Sequence, residues 1–215
     1  MRLPTQPTRT ARTLLTACAL AATLPAAHAA HAAGGWDEAV QGDFANLGTT
    51  PTAITLELGS NPVRGTTGRQ NSVVDRDYFS FTLPAGWQLD TLTVVGGSFL
   101  GVSGLSFIGV QAGPQVTVNP TGGSPAGLLG WVHFGANDIG TDILGLMGIG
   151  FGASGFQSPL PAGTYSFWVQ DTGTGVASYQ LDFGVSAVPE PASALLMLAG
   201  VAALLRRRAA PPRSA

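Results

Sequence analysis

Between residues 50 and 185 the chain alternates apolar and polar side chains at the period of a strand that turns one face to a core. Ile54, Leu56 and Leu58 alternate with Thr55 and Glu57; Phe79, Phe81 and Leu83 with Ser80 and Thr82; Leu92 and Val94 with Thr91 and Thr93. Tyr165, Phe167 and Val169 alternate with Ser166 and Trp168, and Tyr179, Leu181 and Phe183 with Gln180 and Asp182. Shorter runs at 106–110, 115–118 and 129–134 bring the predicted strands to about eight. Turn residues punctuate them: Pro84-Ala85-Gly86 closes one strand and Pro161-Ala162-Gly163 opens another. No stretch of this region repeats at the helical period. The pattern predicts an all-β domain over residues 34–186, an antiparallel β-sandwich of jelly-roll or immunoglobulin-like order. Segments 96–113 and 143–155 mix Gly with Leu, Ile, Phe and Met without alternation. We read them as buried glycine-bearing strands, where a missing side chain permits close backbone approach, in preference to apolar loops that form a binding patch.

Both ends of the chain break from this pattern. Arg2, Arg9 and Arg12 precede an Ala/Leu-rich run at 13–27, and small residues follow. Ala27 and Ala29 form an A-x-A signal-peptidase motif, with Ala30 and Ala32 as a second choice. Residues 1–30 are therefore expected to be a secretory signal peptide. Leu15-Thr16-Ala17-Cys18 has the form of a lipobox, but the apolar run continues past Cys18, so lipidation is not the favoured reading. At the other end, Val188-Pro189-Glu190-Pro191 leads into an apolar run at 192–205 that closes on Arg206-Arg207-Arg208. That run is predicted to form a single helix, short of the ~20 residues that normally span a bilayer. It suits a transient anchor, with the arginines held on the cytoplasmic side. Pro189 and Pro191 keep the tripeptide extended and accessible.

This order of tripeptide, short apolar helix and arginine cluster resembles the PEP-CTERM sorting signal of Gram-negative bacteria, here over residues 188–210. The resemblance implies that exosortase, a membrane-embedded transpeptidase-like enzyme, reads Pro189, Glu190 and Pro191. It further implies that the tail is removed as the protein reaches the cell surface or the extracellular matrix, in company with exopolysaccharide. The segment from Asp75 to Gly86, with Asp75, Asp77, Tyr78, Phe79, Phe81, Ala85 and Gly86 in place, resembles the opening motif of bacterial pre-peptidase C-terminal (PPC-like) domains. Gly163-Thr164-Tyr165 with Tyr179 and Leu181 is similar to the closing hairpin of that fold. The likeness covers 52–95 and 161–184 and implies a small β-sandwich that assists secretion or binding. The same segment resembles the FxDxF group of PEP-CTERM proteins, with Asp75 in place of the first Phe.

Charge and composition narrow the function. Residues 34–188 carry three arginines and eleven acids, a net charge of −8, so the basic footprint of a nucleic-acid-binding domain is missing. The chain has no lysine, and its one cysteine, Cys18, lies in the predicted signal peptide. The domain thus has no disulfide, no thiolate metal site and no Cys or Lys nucleophile.

Asp75 and Asp77, two apart, can face one side of a strand and begin a calcium site, since calcium takes carboxylate oxygens. No D-x-D-x-D-G loop is completed, so turn capping and pairing with an Arg is the favoured role. Asn137, Asp138 and Asp142 form a second acidic loop of the same kind. Trp131 and His133 share a strand face that can stack on a sugar ring, although half-buried strand positions are the plainer reading. There is no G-x-S-x-G elbow; eleven acids leave a paired-carboxylate glycosidase open by count, but most lie at predicted turns and the domain is small for a sugar hydrolase. The expectation is a non-catalytic exported protein, with a carbohydrate- or calcium-dependent binding module as the alternative and a small secreted hydrolase behind it. No cofactor other than calcium is expected.

Replacing Pro189, Glu190 and Pro191 by alanines leaves the apolar run and the arginines intact and removes only the recognition element. In a host with an exosortase, mass spectrometry of the C-terminus should find the parent without its tail and the variant as an uncleaved membrane-bound precursor. Identical C-termini would make the tripeptide incidental.

Overall fold

The computed structural model describes residues 34–188 and Gly200. The expected signal peptide with Ala27 and Ala29, the Pro189-Glu190-Pro191 motif and Arg206, Arg207 and Arg208 lie outside the described residues. Among the described residues no helix is long and apolar enough to cross a membrane.

Among the described residues nine strands follow one another: β1 (Trp36–Asp37), β2 (Thr52–Ala53), β3 (Gly59–Gln70), β4 (Val73–Leu83), β5 (Trp87–Ser98), β6 (Leu105–Ala112), β7 (Gly130–Gly135), β8 (Gly163–Gln170) and β9 (Gly175–Ala187). Two short helices, α1 (Glu38–Gln41) and α2 (Leu144–Gly148), sit between them. One layer runs β5-β9-β3 and the other β4-β8-β6-β7, all antiparallel, with β1 and β2 added in parallel to β3 and β4. Among the described strands, ladder pairing joins the two layers at the β3–β4 hairpin alone, where Gly68, Arg69 and Gln70 pair with Asp75, Val74 and Val73. Its two-residue turn places Asn71 and Ser72 at φ 49° and 69°, the geometry that matches strand twist in tight hairpins. Beyond it β3 and β4 part into opposite layers.

Aromatic side chains close the sandwich. Phe79 and Phe167, opposite each other on β4 and β8, stack with centroids 5.6 Å apart. Phe183 of β9 meets Phe79, Phe81 and Phe167 edge-on at 5.8, 5.7 and 5.2 Å. Edge-to-face contact is the favoured arrangement of ring quadrupoles. Val63, Leu92, Val94, Leu181, Ile108, Val110 and Phe134 complete the buried core.

The all-β, antiparallel expectation holds, and six of the strands, β4 to β9, are those with clean alternation or a shorter apolar run. Four details differ. Residues 54–58 bury Ile54 and Leu56 but make only one bridge, Thr55 to Gly35, so the strand there is β2. Residues 115–118 form no strand; Val116 donates its N–H to the Gly48 carbonyl and lies over the outside of β4 and β8. Segment 143–155 is not a buried strand. It holds α2, which buries Leu144 and Met147, and its backbone lies so close to β7 that a Cβ on Gly130 would run into the Met147 carbonyl. Segment 96–113 is strand only in part, the end of β5 and all of β6, separated by a turn at Val102–Gly104.

Phe167 is fully buried and central to the ring cluster, so Phe167→Ala should cost about 3–5 kcal/mol in chemical denaturation. Phe151, 90% exposed, is the control, and Phe151→Ala should stay within about 0.5 kcal/mol. Equal losses would contradict the assigned core.

Candidate functional site

Alternation along β4 that turns Phe79 and Phe81 inward also turns Asp77 inward. Its side chain is 0% exposed. Tyr179, facing it from β9 in the other layer, donates its hydroxyl to Asp77 Oδ2 at 2.7 Å. Gly65 of β3 leaves the space for this bond. A Cβ there would stand 2.5 Å from the Tyr179 hydroxyl and 2.7 Å from Asp77 Oδ2. Asp77 Oδ1 has no hydrogen-bond partner among the described residues.

The segment ahead of β2 brings two more carboxylates to this place. Asp37 caps α1 by accepting from the Ala39 N–H, which fixes the start of the helix at Glu38. After α1 the chain is anchored by Phe44, buried against Phe79 at 5.0 Å. Glu38 and Asp43 are thereby held over the end of the core. Glu38 Oε2 accepts from the Thr66 N–H at 2.6 Å, and its Oε1 from the Phe44 N–H at 3.2 Å. A carboxylate oxygen from each of Glu38, Asp43 and Asp77 lies within 4.8 Å of the others. Asp75 stands on the same face of β4 and accepts from the Asn46 amide.

Burial dominates the electrostatics. It pushes Asp77 up to about 9, the Glu38 carboxylate adding to the effect and the Tyr179 bond opposing it. Glu38 is pushed up to about 7, again mainly by burial. Asp75 is raised by burial and then by Asp43, and the Tyr179 hydroxyl is raised by burial and then by Asp77. The favoured role for Asp75 and Asp77, turn capping and pairing with an Arg, is thus corrected. Arg76 points to the opposite face of β4, where its Nε donates to Gln170 Oε1 at 2.9 Å. Capping does describe the second acidic loop: Asp138 accepts from the Gly135 N–H and Asp142 from the Leu92 and Leu144 N–H groups.

A second place lies on the outer face of β6, β7 and β8. Trp131 and His133 share a face of β7 as expected, rings 5.3 Å apart. Phe107 of β6 stacks on Trp131 at 6.0 Å and packs on Trp168 of β8 at 4.6 Å. The loop between β6 and β7 covers Tyr78 and Trp168 with Val116 and Leu128 but leaves Trp131 half-buried and His133 exposed. Partial desolvation beside the Phe107 and Trp131 rings lowers the pKa of His133 from its ordinary value. Two adjoining hollows of about 210 and 340 Å³ share Phe107, His133 and Gln170.

Sequence reasoning found Asp77, Trp131 and His133. It missed Glu38, Asp43, Phe107 and the Tyr179 partner, since no motif or spacing ties them together. Comparison with protein-family models, with curated proteins and with solved structures gave no match.

A carboxylic acid whose folded pKa stands near 9, against ~3.9 unfolded, keeps in the native state a proton that the unfolded chain releases. Its stabilising contribution is fully present below about pH 4 and is lost as pH rises toward about 9; Glu38 adds to the loss up to about 7. In chelated buffer the melting temperature should fall across that window. Asp77→Asn, which cannot ionise, should flatten the fall. An unchanged slope in the variant would show Asp77 to be ionised within the fold.

Proposed function

We propose that the chain is a non-catalytic, exported protein whose sandwich is of PPC-like order, sorted by an exosortase-type system to the cell surface or exopolymer matrix. There the domain binds carbohydrate along the outer face of β6, β7 and β8. The export half rests on the sequence: the A-x-A motif at Ala27 and Ala29, and Pro189-Glu190-Pro191 ahead of an apolar run and three arginines. The binding half is supported by the trench that runs past Phe107, Trp131 and His133. Flat aromatic rings take the apolar face of a sugar, while Asn119, Ser124 and Gln170 on the same walls offer groups that fix orientation. The contacts of His133 with the Phe107 and Trp131 rings fit a stacking role better than that of a general base.

The polysaccharide of an exosortase-bearing host is the probe. The protein should be retained on it in affinity electrophoresis, and Trp131→Ala should weaken retention at least tenfold with the melting temperature within a few degrees of the parent. Retention equal in parent and variant, or none in the parent, would end the carbohydrate reading.

A further inference from the structure

Glu38, Asp43 and Asp77 come from α1, from the loop behind it and from β4, so no local turn motif accounts for their meeting. Three carboxylates at this separation repel one another unless protons or a cation stand among them. The second observation is Asp77 itself, wholly buried with Oδ1 unpartnered. Asp171, the other buried acid of the domain, shows how this fold treats a purely structural carboxylate. It accepts from the N–H groups of Leu100, Gly101 and Gly173 and from the Ser106 hydroxyl. Asp77 receives one hydrogen bond, from Tyr179. No described arginine compensates it: Arg64 pairs with Asp37, Arg69 donates to the Thr172 carbonyl and Arg76 to Gln170. Asp43, the exposed member of the three carboxylates, also lines a neighbouring hollow of about 280 Å³ together with Asn46, Thr66 and Asp75.

We propose that Glu38, Asp43 and Asp77 bind a calcium ion, with Asp77 as the innermost ligand and Asp75 adding negative charge at the entrance. The donor set is oxygen alone, which selects a hard cation. Calcium accepts an irregular shell of 6–8 oxygens and fills it with water where the protein falls short, whereas magnesium demands a near-regular octahedron. Carboxylates spread over a helix, a loop and a strand suit the former. The proposal does not depend on export or on carbohydrate binding.

The test uses the full-length protein, stripped with chelator and titrated with calcium chloride in a calorimeter, with melting followed in parallel. Calcium should bind at one site in the range of about 0.1–1 mM, as in extracellular calcium modules, and raise the melting temperature. Asp43→Asn, on the exposed rim, and Glu38→Gln should each weaken binding at least tenfold, and Asp77→Asn should abolish it. Asp90→Asn, in β5, should bind as the parent does. Terbium should show luminescence sensitised by Tyr179 and lose it in Tyr179→Phe, a variant that removes no proposed ligand. If Asp77→Asn fails to fold, the two rim variants decide. No binding by the parent up to about 10 mM, or affinities unchanged in Asp43→Asn and Glu38→Gln, would overturn the proposal.

Discussion

Side chains two apart on a strand face the same way, so the register of β4 that buries Phe79 and Phe81 has no choice but to bury Asp77. The aromatic plug and the interior carboxylate are one constraint. Phe183 locks the plug from the other layer, and Tyr179, two positions from Leu181 on the same inner face of β9, meets the carboxylate. Gly65 between them supplies the room. An ionised carboxylate in this place costs several kcal/mol unless it is paired, and the domain offers it one phenol.

The alternate residues of the same strands build the opposite surface. Tyr78 and Trp168 point outward where Phe79 and Phe167 point inward, and they stack at 5.9 Å under Val116 and Leu128. Phe107 and Trp131 pack against the margin of this second, smaller cluster and His133 lies exposed beside them, so the sheet emerges from cover as an aromatic shelf. One sheet thus carries acids on its inner side and stacking rings on its outer side, and the two can act without touching.

The legible part of the fold was the part with large alternating side chains. β4, β8 and β9 announce themselves through Phe, Tyr and Leu at every second position. β3 is as long as β5 yet silent, because its inward positions are Asn61, Val63, Gly65 and Thr67. Asn61 is buried there only because its amide reaches the Glu57, Gly59 and Phe183 carbonyls and accepts from the Glu57 N–H. α2 is too short to show a helical period. The pairing of Asp75 with Asp77 on one face was readable from spacing, but its meaning was not. Asp77 meets Tyr179, 102 residues away in the chain, and Glu38 and Asp43 arrive with α1 and the loop behind it, anchored by Phe44 on Phe79. Asp138 and Asp142 look the same in sequence and end as acceptors of backbone N–H groups, Asp138 from Gly135 and Asp142 from Leu144 nearby and Leu92 on β5.

The account turns on the state of one carboxyl group. Carbon-13 labelling of the Asp side-chain carboxyls, with Asp77 assigned by Asp77→Asn, reads that state directly in chelated buffer. The account predicts a shift of the protonated acid for Asp77 at neutral pH, moving to that of the carboxylate only as pH approaches about 9. An Asp77 already ionised at about pH 5, titrating near the ~3.9 of a solvated aspartate, would mean that the carboxylate is neither dry nor short of partners, and the central claim would fail.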